Sequence, residues 1–209
     1  MHSLDELPPR QALAEIARDF HARGWMAGTA GNLSVRDDEA HAWITASGVP
    51  KGRLDEKDFV LFRVSDGVVV ERVRAQNEPS AEAAIHAAIY RLFPQVRACL
   101  HGHSVAACVA GARATAKSRA LRLPALEMLK GFDIWKQNPK IDLPLFDNTL
   151  DVKKIAQDIT RRFAKTPPAL TALMVRGHGP TVWGGNIQQA YNRFECLDFL
   201  LSFLAARSR

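Results

Sequence analysis

An α/β layered domain with a mainly antiparallel sheet covered by helices is the fold this sequence predicts. Apolar residues at helical spacing alternate along the chain with short β-rich runs. Those runs come in adjacent pairs with two- or three-residue turns, a connection open to antiparallel neighbours and closed to parallel ones. No repeat, low-complexity tract or long linker divides the 209 residues, a length that suits one domain over 1–209.

Leu13, Ile16, Ala17 and Phe20 mark a first helix, punctuated by Pro8 and Pro9 before it and Gly24 after it. Residues 41–46 set Trp43 against Ile44 and read as a short strand. Phe59–Val64 and Val68–Val73 flank Ser65-Asp66-Gly67, a hairpin signal. Ser80 caps an expected helix that runs to about Phe93, where Pro94 stops it. Val96–Leu100 is a β-rich run entering His101-Gly102-His103, and small residues form a helix from about Ser104. Ile141–Phe146 reads as a strand, and Val152, Ile155, Ile159 and Phe163 line one helix face. Leu170–Val175 and Thr181–Trp183 bracket Arg176-Gly177-His178-Gly179 as a second hairpin. A long helix from Asn186 to about Ala206 follows, burying Ile187, Ala190, Tyr191, Phe194, Leu197 and Leu201.

The 47% hydrophobic and 24% charged fractions are those of an ordinary globular protein. The net charge of +6 is thinly spread, with short basic groups at Arg72 and Arg74 and between Arg113 and Arg122. No zinc finger, basic helix or RNA-binding aromatic run accompanies it, so nucleic acid is not an expected partner. A mild positive excess suits an anionic metabolite. Three scattered cysteines, none in a CxxC pair, fit a reducing compartment. The acidic, proline-bearing start lacks a signal peptide's apolar core, and no apolar run approaches the roughly 18 residues of a membrane span. A soluble, cytoplasmic protein with no membrane partner is expected.

In an extended segment, residues two apart project to the same side, so His101 and His103 can reach one metal ion. Gly102 between them leaves the backbone free to turn. His178, flanked by Gly177 and Gly179 at the end of an apolar strand, is positioned rather than packed. Three protein ligands with an open fourth position are the pattern of catalytic zinc, one Zn2+ per chain. His2, His21, His41 and His86 have no such context and read as ordinary surface or helix residues. Two carboxylates compete for acid/base work: Glu82, in a helix first turn where the dipole favours it, and Glu127, among apolar neighbours after Pro124. Three segments can hold a phosphate: Gly28-Thr29-Ala30-Gly31-Asn32, Ser47-Gly48 leading to Lys51, and Pro79-Ser80 at a helix start.

Five stretches resemble the class II aldolase family in family order across nearly the whole chain: TAGNLSVR (Thr29–Arg36), TASG (Thr45–Gly48), PSAE (Pro79–Glu82), HGH (His101–His103) and HGPTVWG (His178–Gly184). Ile44–Gly52 and Leu126–Trp135 are similar to that family's dehydratases acting on 5-methylthioribulose 1-phosphate in methionine salvage. The resemblance implies a three-layer α/β/α fold, a three-histidine zinc site, and a homotetramer with sites near subunit interfaces. It implies removal of water from a small sugar phosphate, with Glu127 taking a proton from carbon 3 and assisting loss of the carbon 4 hydroxyl. Glu82 matches the acid/base glutamate of the aldolases, a position where some dehydratases carry cysteine. An aldolase or epimerase on another ketose phosphate therefore stays open, as does a non-enzymatic interaction protein on the same fold.

Overall fold

The computed structural model describes residues 3–207, so His2 lies outside the described residues. In chain order the elements are α1 (Pro9–Ala22), β1 (Asn32–Arg36), β2 (His41–Thr45), β3 (Phe59–Arg63), β4 (Val69–Arg72), α2 (Ala83–Leu92), β5 (Ala98–His101), α3 (Val105–Ala112), β6 (Ala120–Arg122), β7 (Asp142–Phe146), α4 (Val152–Lys165), β8 (Ala172–Val175), β9 (Gly179–Gly184) and α5 (Ile187–Ala206). Short 3-10 turns occupy Leu4–Glu6, Lys51–Arg53 and Glu127–Phe132. Pro9 opens α1 at a position where its missing N–H costs nothing. Ser104 and Asn186 cap α3 and α5 by accepting from Ala107 N and Gln189 N.

The strands form one sheet in the order β4-β3-β2-β1-β5-β9-β8-β7-β6, and among the described residues β7–β8 is the one parallel pair. Alternate residues along each strand divide between two cores, as the period of two demands. Leu33, Val35, Leu100, Met174 and Val182 join the side chains of α1, α3 and α5 on one face. Ile44, Cys99, Leu173, Val175 and Trp183 meet α2 and α4 on the other. The result is the expected α/β/α layering around a mainly antiparallel sheet.

Among the elements outside the sequence expectations are β1, β6 and the Glu127–Phe132 segment, and α2 starts late. β1 occupies the middle of the sheet, where all five of its residues are buried. Asn32, Ser34 and Arg36 face inward as fully as Leu33 and Val35 do, so the polar half of the strand mimics a solvent face. β6 is a three-residue edge strand and Glu127–Phe132 is a 3-10 segment, both too short for a periodicity to declare itself. Helix α2 begins at Ala83, with Glu82 rather than Ser80 at the cap position. Residues 78–80 are held extended, through a bridge between Ala46 and Pro79 and a bond from Ser47 N to Glu78 O, and helix geometry can start only after them.

Candidate metal centre

His101 ends β5 at the centre of the sheet, level with Asn32 of β1 and Thr181 of β9. His103 follows after Gly102 and is anchored by its own N–H to Trp25 O, 2.6 Å away. His178 sits on the β8–β9 turn, which Gly177 enters at φ 58°. The start of β9 presses on the His101–His103 segment so closely that a Cβ at Gly179 would lie 2.1 Å from Gly102 O. Only glycine allows that approach.

These strand ends bring the three imidazoles together at centroid separations of 4.5 to 4.9 Å. Glu82, at the cap of α2, completes the group, and one donor atom from each of the four residues lies within 4.8 Å of the others. His178 Nε2 is 2.9 Å from Glu82 Oε1, and His101 Nε2 is 3.3 Å from Glu82 Oε2 and 2.8 Å from His103 Nε2. The Asn32 amide donates to Glu82 Oε2.

The tautomer of His101 decides what this cluster is for. Its Nδ1 lies 2.8 Å from Pro180 O, which only accepts, so the ring proton sits on Nδ1. Nε2 then carries a bare lone pair that faces the Glu82 carboxylate at 3.3 Å, acceptor against acceptor, with His103 Nε2 also 2.8 Å from it. A cation at that point resolves the conflict, and a carbonyl that fixes a ligating histidine's tautomer is a common feature of metal sites. Burial pushes the Glu82 carboxyl up, but the His101 and His178 imidazoles and the Asn32 amide outweigh it and hold the group well below the usual carboxylate range. Burial pulls His103 down to about 3 and lowers His101 as well, so both are neutral at physiological pH. Neutral imidazoles beside an anionic carboxylate are the donor set a divalent ion requires, and the residues present fit zinc.

A family model for the class II aldolase and adducin N-terminal domain matches residues 11–204. The chain belongs to this family. Among curated relatives of this class II aldolase chain, the methylthioribulose-1-phosphate dehydratase of Microcystis aeruginosa is 47% identical over 198 residues, 95% of each chain. That of Leptospira biflexa is 36% identical over 98% of this chain and 100% of its own. That of Acidiphilium cryptum is 38% identical over 94% and 90%. The L-fuculose-1-phosphate aldolase of Thermus thermophilus shares the fold, with a TM-score of 0.71, 24% identity and 94% of each chain covered. YgbL of Escherichia coli superposes with a TM-score of 0.75 at 27% identity, over 94% of this chain and 89% of its own.

The three phosphate candidates of the sequence converge on one another. Lys51 N donates to Gly28 O across 2.9 Å, tying the Gly28–Asn32 turn to the segment after Ser47-Gly48. That segment is in turn joined to Pro79-Ser80 through Ser47 N to Glu78 O and the Ala46–Pro79 bridge. Thr29, Ser47 and Gly48 are exposed, Gly31 and Ser80 are half-buried, and Asn32 spends its amide on Glu82 rather than on open space. Glu127 lies apart from the four-residue cluster: its side chain is 74% exposed and ion-paired with Lys130. His86 corrects the reading of an ordinary histidine. It is fully buried one helical turn beyond Glu82, its Nδ1 2.6 Å from Ser34 Oγ. The helical spacing of Glu82, His86 and Tyr90 was the signal in the sequence that pointed to it.

Proposed function

We propose that this chain is a zinc-dependent hydro-lyase that removes water from 5-methylthioribulose 1-phosphate, giving 2,3-diketo-5-methylthiopentyl 1-phosphate in methionine salvage. Support comes from the dehydratase name borne by the Microcystis relative, 47% identical along 95% of both chains. The observation that carries the metal chemistry is the bare His101 Nε2 facing the Glu82 carboxylate. His101, His103 and His178 hold one zinc, with Glu82 against the same point. Zinc there supplies Lewis acidity to the substrate carbonyl and its neighbouring hydroxyl.

This chain's own residues do the rest. Gly28, Thr29, Gly31, Ser47, Gly48, Lys51, Pro79 and Ser80 surround the phosphate, with backbone N–H groups and one buried ammonium as donors. Asn32 orients Glu82. Glu127 takes the carbon 3 proton and returns it to the departing carbon 4 hydroxyl as water. Both oxygens of Glu82 are engaged by His178, His101 and Asn32, which suits a holding role better than a shuttling one. One observation favours a second reading, an aldolase or epimerase on another ketose phosphate: Glu82 stands among the histidines and Glu127 stands in solvent. A cytoplasmic homotetramer that places Glu127 beside a neighbouring chain accommodates that exposure.

The deciding experiment incubates zinc-loaded protein with 5-methylthioribulose 1-phosphate and follows diketone formation, with aldehyde release from ketose phosphates assayed in parallel. Diketone alone is expected. Aldehyde without diketone replaces the dehydratase with the aldolase. Elemental analysis should give one zinc per chain, and little in His103→Ala.

A further inference from the structure

Helix α2 lies along β1 through a run of buried polar contacts. On the helix the residues are Glu82, His86 and Tyr90, four apart; on the strand they are Asn32, Ser34 and Arg36, two apart. Four helical residues rise about 6 Å and two strand residues about 6.6 Å, so the two series stay in step. Asn32 binds Glu82, Ser34 binds both His86 and Tyr90, and the Arg36 guanidinium lies 4.8 Å over the Tyr90 ring while donating to Tyr90 O. All six residues are buried.

The middle rung is not built for stability. Ser34 Oγ is 2.8 Å from the Tyr90 hydroxyl and 2.6 Å from His86 Nδ1. Ser34 Oγ also lies 3.5 Å from Cys99 O, so it can donate either there or to His86 Nδ1. With either tautomer His86 Nε2 is a buried atom with no hydrogen-bond partner. An unpaired buried polar atom costs about 1–3 kcal/mol, and an apolar ring would avoid it if packing were the only requirement. His86 is instead one turn from Glu82, and its backbone N–H reaches Glu82 O at 3.4 Å.

We propose that His86 is a positioning residue for the metal centre: by binding Ser34 it fixes the register of α2 on β1 and so holds Glu82 against His101 and His178. The proposal rests on the zinc reading above. Losing the middle rung lets the first turn of α2 shift, and the carboxylate with it, while the three histidines stay on their strand ends. His86 touches neither metal nor substrate.

The test uses His86→Phe, which keeps a buried ring and removes both nitrogens, and His86→Asn, whose amide can replace Nδ1. Zinc affinity is measured by chelator competition, and the cobalt-substituted proteins are compared by visible spectrum. His86→Phe should weaken zinc binding about 10- to 100-fold and alter the cobalt spectrum, and His86→Asn should recover most of that loss. Unchanged affinity and spectrum in His86→Phe, with only a lowered melting temperature, would overturn the proposal. Should His86→Phe not fold, Ser34→Ala decides in its place: weakened zinc binding supports the positioning role, and wild-type affinity overturns it. Wild-type protein that takes up no zinc overturns the zinc reading and this proposal together. Zinc-binding wild type with unmoved variants overturns the proposal alone.

Discussion

Lys51 carries a stability cost that its proposed role at the phosphate would explain. It is 1% exposed, and its Nζ lies 3.2 and 3.4 Å from the carbonyls of Val49 and Ala46. Burial pulls its ammonium down to about 8 against the attraction of Asp58. Below pH 8 folded and unfolded chains are both charged, and the fold bears the whole desolvation cost. Between about 8 and 10.5 the folded chain releases its proton while the unfolded chain keeps it, so stability rises with pH across that window. Lys51→Met should therefore be more stable at pH 7 by up to about 3 kcal/mol, an advantage that shrinks toward pH 10. Its KM for the sugar phosphate should rise about tenfold or more, the loss of a charge-assisted hydrogen bond. Urea denaturation at both pH values and steady-state kinetics read these effects; a destabilised Lys51→Met with normal KM contradicts both. The two glutamates separate in the same way. Glu127→Gln should lose about 100- to 10,000-fold in turnover and keep its zinc, whereas Glu82→Gln should bind zinc more weakly. Normal turnover in Glu127→Gln beside a dead, zinc-replete Glu82→Gln moves the proton chemistry to Glu82. The three clustered histidines were legible because glycines and spacing expose them. Ser34 was not, because a polar residue turned inward has the same one-letter pattern as one turned outward, and for His86 the spacing from Glu82 and Tyr90 was the one hint.

Elements position the site through backbone contact, and the contact between β9 and the segment after β5 is the tightest. Gly179 has no room for a methyl group against Gly102 O and the His103 Cα. Gly179→Ala must push the two segments apart, separating His178 from His101 and His103. Zinc retention after dialysis should drop at least tenfold, in line with losses seen when ligand-orienting contacts are removed. A lowered melting temperature should accompany it, and full zinc retention would show that the strand ends are not what assembles the centre. Hairpins and long helices were readable in advance: the turn Ser65-Asp66-Gly67 joins β3 and β4, and Asn186 caps α5. The strand that carries Asn32 was hidden for the reason its residues were. The late start of α2 was hidden too, because the bonds from Ser47 and Ala46 that hold residues 78–80 extended come from some thirty positions upstream. Local propensity does not register such partners.

At the scale of the molecule, the sheet gathers β1, β5 and β9 at its centre, so the candidate metal centre stands on central strands while Glu127 and Trp135 are open to solvent. Trp135 is 72% exposed and Glu127 74%. Helices α3 and α5 pack together, Arg113 binding Leu204 O and Ala205 O, and each presents exposed apolar residues four apart: Val105 with Val109, and Phe199 with Phe203. Exposed apolar residues of this kind suit the interface of the proposed homotetramer. A homotetramer that covers these side chains also accounts for Glu127, since a neighbouring chain can bring it beside a substrate. Introducing Val105→Glu together with Phe199→Glu should place unpaired charges in that interface at a cost of several kcal/mol. Sedimentation should then show single chains or dimers for the variant, against the four chains expected of the wild type. Zinc content should stay at one per chain, because all three histidines and Glu82 belong to the same chain. Turnover should fall about 100-fold, the penalty for a misplaced catalytic group. A wild type that sediments as a single chain and turns over normally would show that Glu127 acts without a neighbour, and that the exposed stripes on α3 and α5 serve something else.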